Sequence, residues 1–98
     1  MIINKQQNGS TLTLAPQGRL DTVTSPELEA ELKSSLDNIE NLVLDLSGLE
    51  YISSAGLRVL LSAHKAMSTR GGMKVTRVGE IVREVFDVTG FSDILDIV

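Results

Sequence analysis

Residues 42–69 read LVLDLSGLEYISSAGLRVLLSAHKAMST, and this stretch predicts a strand, a loop and a helix in succession. The nearly continuous apolar run Leu42–Leu46 is typical of a strand that is covered on much of its surface. Residues 47–52 are expected to form a loop, and apolar side chains then recur at helical spacing from Ser54 to Thr69. Ligands of α/β sheets usually bind at the carboxyl ends of the strands, so this loop and the start of the helix are the first place to look for a site.

The sequence before this stretch predicts an N-terminal hairpin. Residues 1–7 are consistent with an edge strand, and the Asn-Gly pair at 8–9 is a strong signal for a two-residue turn. Residues 11–15 alternate polar and apolar side chains, as a half-buried strand does. Pro16 and Gly18 are expected to end this second strand.

A helix is predicted to follow the hairpin, beginning at Thr24 or Ser25. Ser25 can cap it with Pro26 in the first helical position. Alternatively, Thr24 can form a capping box with Glu27. The Asp-Asn pair at 37–38 is expected to end the helix. Its apolar stripe consists of Leu28, Leu32 and Leu36, with Ile39 as a further candidate.

The C-terminal third predicts a strand over 73–78, a helix over 80–89, and a tail over 94–98 that is either a short strand or a turn of helix. Crossovers between parallel strands are right-handed, so strands in sequential order place both long helices on the same face. The predicted fold is therefore α/β: a mixed sheet with an antiparallel first hairpin, then parallel strands, and helices packed on one face. A doubly wound sheet with helices on both faces is the alternative.

Length and composition limit the possible functions. The 98 residues suit one domain spanning 1–98, and 42% of them are hydrophobic, far more than in a disordered chain. The absence of cysteine and the single histidine exclude thiolate and multi-histidine metal sites, so no metal or other cofactor is expected. A formal net charge of −4 argues against nucleic acid as a partner, because phosphate binding needs a basic face.

No segment of the sequence predicts insertion into a membrane. Residues 1–9 contain one lysine and no long apolar run, unlike a signal peptide. Elsewhere, polar residues interrupt every apolar stretch well before the roughly 20 residues that a bilayer span requires. We therefore expect a soluble cytoplasmic domain, and the absence of a coiled-coil pattern predicts a monomer when the protein is free.

Two serines stand where the second long helix begins, and two interpretations of them are open. Ser53 or Ser54 can cap the helix, which contributes about 1 kcal/mol. The same helix end offers free N–H groups and a positive dipole, which would stabilise a phosphate. Phosphorylation adds about −1.5 to −2 charges, a large change on an acidic chain. Gly56, in the first turn, is explained by close packing of the helix against a strand.

Asp21 and Asp45 are each predicted near the end of a strand, beside these serines. Their carboxylates either orient a serine hydroxyl or hold the metal of an incoming nucleotide, or they only support local turns. Catalysis by the chain itself is not expected. His64 is the one imidazole that could activate a serine, and it lies roughly 15 Å along the helix axis from Ser54. There is also no phosphate-binding loop of the GxxxxGK[ST] type.

Taken in order, several motifs resemble those of STAS domains, in particular the single-domain anti-sigma factor antagonists of bacterial partner-switching systems. The matching pieces extend over nearly the whole chain: GRLD at 18–21, LDLS at 44–47, ISSAGLRVLL at 52–61 and VFDVTGF at 85–91. The resemblance implies a sheet with helices on one face, which agrees with the fold predicted above from the pattern alone.

The resemblance also implies a phosphorylation switch. Alignment on Gly56 places the phosphorylated serine of the family at Ser54. An anti-sigma factor that is also an ATP-dependent serine kinase would modify it, and a serine phosphatase would reverse the modification. The unphosphorylated protein would bind the kinase and release the sigma factor. Asp21 matches the acidic residue that the family carries beside the site. Many members have Asp directly before the phosphorylated serine, where this chain has Ser53, so Ser53 is the second candidate.

The partner surface is expected to centre on residues 47–52 and the first turns of the second helix. Tyr51 and Arg58 are the foremost candidates, because Tyr and Arg are enriched among residues that dominate interface energy. The other predicted contacts are Ile52, Ala55 and Leu57.

Two competing functions stand beside the switch. STAS-like chains also serve as accessory subunits of membrane transport complexes, where this chain would dock on the transporter ATPase without any phosphate. A small nucleotide-hydrolysing enzyme is the third possibility, and the distance of His64 from the serines argues against it.

Overall fold

The structure is a computed structural model that describes all residues from 1 to 98. Its strands are β1 (Ile2–Asn8), β2 (Thr11–Leu20), β3 (Asn41–Asp45), β4 (Leu49–Ile52), β5 (Met73–Thr76) and β6 (Asp96–Ile97). Its helices are α1 (Ser25–Ser35), α2 (Ser54–Met67) and α3 (Glu80–Thr89), with short 3-10 turns at Leu36–Asn38 and Phe91–Asp93. None of the three helices combines the length and the apolar character needed to cross a membrane.

The sheet is mixed, and its topology confirms the predicted fold. β1 pairs with β2 antiparallel, and every other pairing is parallel, in the order β1-β2-β3-β5-β6 with β4 also paired to β2. Along β2, Leu12 and Leu14 are fully buried beneath the helices, whereas Thr11 and Thr13 on the other face are only half-buried. The doubly wound alternative is therefore wrong, and β6 shows that the C-terminal tail contributes a strand.

The second strand is longer than predicted, because neither Pro16 nor Gly18 ends it. Pro16 lies between the pairing of Leu14 with β3 and the pairing of Gly18 with β4. No parallel neighbour therefore needs the N–H that proline lacks. Gly18 has a φ of +95° and stands at a shift in register, a bulge that glycine accommodates readily. β2 consequently continues to Leu20 and delivers Asp21 to the site described below.

The predicted loop at 47–52 is mostly a strand. Only Ser47 and Gly48 form a turn, and β4 follows at once, pairing in parallel with Gly18–Leu20 of β2. Its buried residues, Leu49 and Ile52, pack into the core. The strand is short and carries Glu50 in its middle, which is why its sequence does not reveal it.

One apolar core of 21 buried residues joins the elements. α2 packs against that core along its length, contributing Leu57, Val59, Leu60, Ala63 and Met67. α3 contributes Val82 and Phe86, and the ring of Phe86 stacks against Phe91 with centroids 6.5 Å apart. The first turn of α2, which carries the two serines, is thus held on a rigid support.

Neither predicted cap forms at the start of α1. Thr24 is the N-cap residue, but its hydroxyl donates to the Arg19 carbonyl at 2.7 Å instead of capping the helix. Ser25 is buried inside the first turn, and its hydroxyl has no hydrogen-bond partner. The Ser25 N–H donates to the Asp21 carbonyl at 2.8 Å, so the turn that follows β2 sets the start of the helix.

Candidate functional site

Ser53 and Ser54 lie where β4 ends and α2 begins. Ser53 is the N-cap residue, with extended backbone at φ −98° and ψ 178°, and Ser54 is the first helical residue. The Ser53 N–H donates to the Leu20 carbonyl at 2.9 Å, which ties the serines to the end of β2. Ser54 is exposed and Ser53 is half-buried, so Ser54 presents the more accessible side chain.

The N-terminus of α2 has no side-chain cap, so the capping interpretation of the serines is wrong. The hydroxyl of Ser53 is buried and has no hydrogen-bond partner. The first backbone bond of the helix joins the Leu57 N–H to the Ser53 carbonyl at 2.9 Å. The preceding N–H groups, those of Ser54, Ala55 and Gly56, therefore have no acceptor in the protein. Free N–H groups at the positive end of a helix dipole favour an anion at this position.

Gly56 brings α2 into close contact with the strands beneath it. A Cβ atom on Gly56 would lie 2.8 Å from Cγ1 of Ile52 and 2.9 Å from Cγ of Leu20. Real Cβ atoms essentially never approach other atoms this closely, so only glycine allows the backbone of α2 to lie this close to Ile52 and Leu20. The close-packing explanation of Gly56 is confirmed, and the packing fixes the position of the neighbouring Ser54.

Asp21 organises the turn between β2 and α1. Its Oδ1 accepts hydrogen bonds from the N–H groups of Thr24 at 3.1 Å and Val23 at 3.0 Å. The bond from the Thr24 N–H is the main reason that the pKa of Asp21 lies below its ordinary value. The Val23 N–H, the Thr24 hydroxyl and the charge of Arg19 add to this lowering, which outweighs desolvation. The turn-supporting interpretation of Asp21 is confirmed, and the adjacent Leu20–Ser53 bond places Asp21 beside the serines.

Arg19 connects Asp21 to Tyr51, an arrangement that the sequence did not reveal. Arg19 and Tyr51 are register partners on β2 and β4, and the guanidinium carbon lies 4.3 Å from the centre of the Tyr51 ring. The Arg19 Nε is also 3.9 Å from Oδ2 of Asp21. A sequence analysis that recognised β4 and its pairing with β2 would have predicted this cluster. The result is a cation–π pair at the edge of the site, with an Arg19 side chain that is 60% exposed.

Asp45 lies outside this cluster, contrary to the sequence prediction. The register pairs Leu14 with Leu44, so Asp45 at the end of β3 is level with Ala15 in β2. Ala15 precedes Asp21 by about 20 Å of extended strand. The carboxyl ends of the strands are therefore staggered, and Asp45 is not a neighbour of the serines.

The contacts of Asp45 are those of a structural residue. Its Oδ2 is 3.2 Å from Nη2 of Arg77, and its Oδ1 accepts a hydrogen bond from the Ser47 N–H at 3.0 Å. Burial raises the pKa of Asp45, but the bonds from Ser47 and the charge of Arg77 outweigh it and leave the pKa below its ordinary value. The turn-supporting interpretation is thus the correct one for Asp45 as well.

The lowered pKa of Asp21 predicts a pH dependence of stability. The carboxyl has the higher pKa in the unfolded chain, so its contribution is complete above about pH 5 and is lost as the pH falls through the folded-state pKa, below about 4. We expect Asp21→Asn to lose less free energy of unfolding than wild type between pH 5 and pH 3, as measured by urea denaturation. In this variant, stability still depends partly on pH, because the pKa of Asp45 is also lowered. Equal losses in the two proteins would contradict the prediction.

Two of the predicted contact residues are in the core. Ile52 is 1% exposed, because its side chain points from β4 toward Gly56 of α2, and Leu57 is 7% exposed within the core. Neither can reach a partner without opening the core, so the prediction of contacts at these two positions is wrong. Tyr51 and Ala55 are half-buried, and Arg58 is exposed, which leaves these three on the surface around Ser54.

No imidazole can activate Ser54 in this arrangement. His64 lies about three turns further along α2, and its Nδ1 is buried without a partner. Asp21 directs one carboxylate oxygen to its own turn. What the arrangement offers is an exposed serine hydroxyl at Ser54 beside free N–H groups that favour an anion.

Comparison with known proteins adds the family. The sequence model of the STAS domain matches residues 3–98, nearly the whole chain. The chain belongs to the STAS domain family. The predicted resemblance is confirmed, and the candidate site of this STAS domain is the junction of β4 and α2.

The relatives of this STAS domain share one type of name. BtrV of Bordetella bronchiseptica, provisionally named an anti-sigma factor antagonist, is 42% identical over 83 residues, which are 83% of this chain and 72% of BtrV. The anti-sigma-B factor antagonist of Bacillus subtilis is 28% identical over 96 residues, covering 97% of this chain and 88% of that protein. The crystal structure of an anti-sigma factor antagonist from Mycobacterium paratuberculosis matches with a TM-score of 0.88 and 25% identity, over 98% of this chain and 83% of that one.

Proposed function

We propose that this STAS protein is an anti-sigma factor antagonist that acts as a phosphorylation-controlled binding module. Unphosphorylated, it binds an anti-sigma factor that is also an ATP-dependent serine kinase, and the sigma factor is released. Phosphorylation of Ser54 ends this binding, and a serine phosphatase restores it. The names of the relatives support the antagonist role. The proposal places the protein in the cytoplasm, as a monomer until it meets the kinase.

The placement of Ser54 is the observation that carries the switch. Its side chain is exposed at the first position of α2, and the other side of that helix is locked into the core. A kinase can therefore reach the hydroxyl without unfolding the domain. The free N–H groups of Ala55 and Gly56 are available to a phosphate at this end of the helix.

Phosphorylation would change charge without changing the fold. The phosphate adds about −1.5 to −2 charges to a surface that already carries Asp21. An interface that packs against Tyr51, Ala55 and Arg58 would have to bury that charge or repel it. The cost falls on binding, because Ser54 makes no contact on which the core depends.

A capture experiment with matched variants tests the proposal. Purified wild type, Ser54→Ala and Ser54→Asp are immobilised and exposed to lysate of the source bacterium, and the captured proteins are identified by mass spectrometry. We expect Ser54→Ala to retain an ATP-binding serine kinase that Ser54→Asp binds at least about tenfold more weakly, a difference of about 1.4 kcal/mol. Ser10→Asp is the control, because it adds the same charge to the exposed hairpin turn at the opposite end of β2.

Each outcome has a defined meaning. Equal capture of the kinase by Ser54→Ala and Ser54→Asp would overturn the switch. Capture of transporter subunits by all variants would instead support the accessory-subunit function. The captured kinase is then incubated with wild type and ATP, and the phosphate is located by mass spectrometry. Modification of Ser53 with Ser54 unmodified would move the switch by one residue.

A further inference from the structure

We propose that Arg58 is the intramolecular partner of the phosphate on Ser54. In the phosphorylated protein, the guanidinium would pair with the phosphoryl oxygens one turn back along α2. Arg58 would then serve as a positioning residue that holds the phosphate against the helix. The inference rests on the proposed phosphorylation of Ser54 and adds the group that receives the phosphate.

Arg58 is the one arginine of the chain without a polar partner. Each of the others makes an ion pair or hydrogen bond: Arg19 with Asp21, Arg77 with Asp45, Arg83 with Asp87, and Arg70 with the carbonyls of Leu36 and Ile39. Arg58 is exposed and has neither kind of contact. An unpaired guanidinium beside a proposed phosphorylation site can bind a phosphate without first breaking another interaction.

The helix geometry directs Arg58 toward Ser54. The two residues are separated by four positions in α2, so they lie on the same side of the helix, about 40° apart around its axis. Long side chains on a helix lean toward its N-terminus, which carries the guanidinium over the first turn. A negative group four residues before a positive one is also the favourable order for an ion pair on a helix. Arginine suits this role because its planar group can donate two parallel hydrogen bonds to phosphate oxygens.

The surroundings of Arg58 are open and contain acidic groups that would oppose the phosphate. Arg58 lines a groove of about 180 Å³ between the first turns of α1 and α2, together with Thr22, Ser25, Pro26, Glu29, Ala55 and Val59. Glu29 faces this groove from α1, and Asp21 stands at the end of β2 with Arg19 paired to it. Both carboxylates would raise the pKa of a nearby phosphate, and the positive charge of Arg58 would oppose this effect.

The pairing gives phosphorylation a second effect on the partner. Arg58 is an exposed candidate contact beside Tyr51 and Ala55 in the unphosphorylated protein. Once it pairs with the phosphate, the guanidinium is no longer free to bind an acidic group of the kinase. The modification would therefore add negative charge to the surface and withdraw a positive one from it.

Phosphorus NMR of protein with phosphoserine at position 54 tests the pairing. The phosphoserine is installed during synthesis with an expanded genetic code, so the experiment needs no kinase. The second pKa of the phosphate, ordinarily about 6, is measured from its chemical shift. We expect it to be about 0.3–0.7 pH unit lower in the Arg58-containing protein than in Arg58→Gln, and the difference to shrink in 1 M salt.

Three further variants decide the result. Arg58→Lys should retain part of the lowered pKa, because it keeps the charge. Lys65→Gln should leave the pKa unchanged, because this exposed lysine is roughly 16 Å from Ser54 along the axis of the same helix, beyond the screening length. A shift in Arg19→Gln with none in Arg58→Gln would overturn the proposal and assign the phosphate to Arg19. Equal pKa values in all variants would also overturn it. Failure of the switch itself would appear in the capture experiment, independently of this titration.

Discussion

Leu20→Ala should lower the free energy of unfolding by about 2–5 kcal/mol, measured by urea denaturation at pH 7. Leu20 is fully buried at the end of β2, and its side chain lies directly beneath Gly56. Removing it leaves a cavity under the first turn of α2, in addition to the lost transfer free energy. Val23→Ala is the control: its side chain is 80% exposed, and such surface changes stay within about 0.5 kcal/mol.

A double-mutant cycle with Gly56→Ala tests why the cavity matters. In the single variant Gly56→Ala, the collisions with Ile52 and Leu20 should lower the free energy of unfolding by about 1–3 kcal/mol. The better helix propensity of alanine should offset about 1 kcal/mol of this loss. In the Leu20→Ala background one of the two collisions is absent, so the same change should cost less. We expect a coupling of at least about 0.5 kcal/mol. Strict additivity would contradict the close packing of α2 on β2.

The sequence reveals the elements whose patterns are local and regular. The alternation in residues 11–15, the helical spacing after Ser54 and the Gly90 stop all correspond to elements of the structure. Prediction from the sequence fails where the pairing with a neighbouring strand decides whether a segment forms a strand. Pro16 would end the strand if a parallel neighbour needed its N–H, but it lies between the part of β2 that pairs with β3 and the part that pairs with β4. β4 is a strand because β2 extends far enough to pair with it.

The same limit explains what was missed at the site. Because β4 was predicted as a loop, the register between Arg19 and Tyr51 could not be predicted, and neither could their cation–π contact. The stagger of the strand ends, which removes Asp45 from the cluster, also depends on that pairing. The position of Ser54 at the first residue of α2 is predicted correctly, because it depends only on the start of one helix.

Phe86→Ala should cost about 3–5 kcal/mol, the largest expected loss from a single side chain here. Phe86 is fully buried, and it is the main residue that anchors α3 to the core. Its ring also stacks against Phe91, at an interplanar angle of 19°, which fixes the segment leading to β6. Val88→Ala on the same helix is the control, since Val88 is 79% exposed and its loss should change little. A cost of about 1 kcal/mol or less for Phe86→Ala would show that α3 contributes little to the core.

Loss of the Phe86 side chain should also affect the candidate site, because α3 contacts the strand next to it. α3 packs against β4, and β4 leads directly into Ser53 and Ser54. In the folded Phe86→Ala variant, hydrogen exchange should therefore accelerate in β4 more than in β1, which lies at the far side of the sheet. A uniform acceleration would mean that β4 is held by β2 alone. With the expected pattern, a substitution far from the surface would loosen the strand that leads into Ser54, and it would thereby weaken the partner binding proposed for this site.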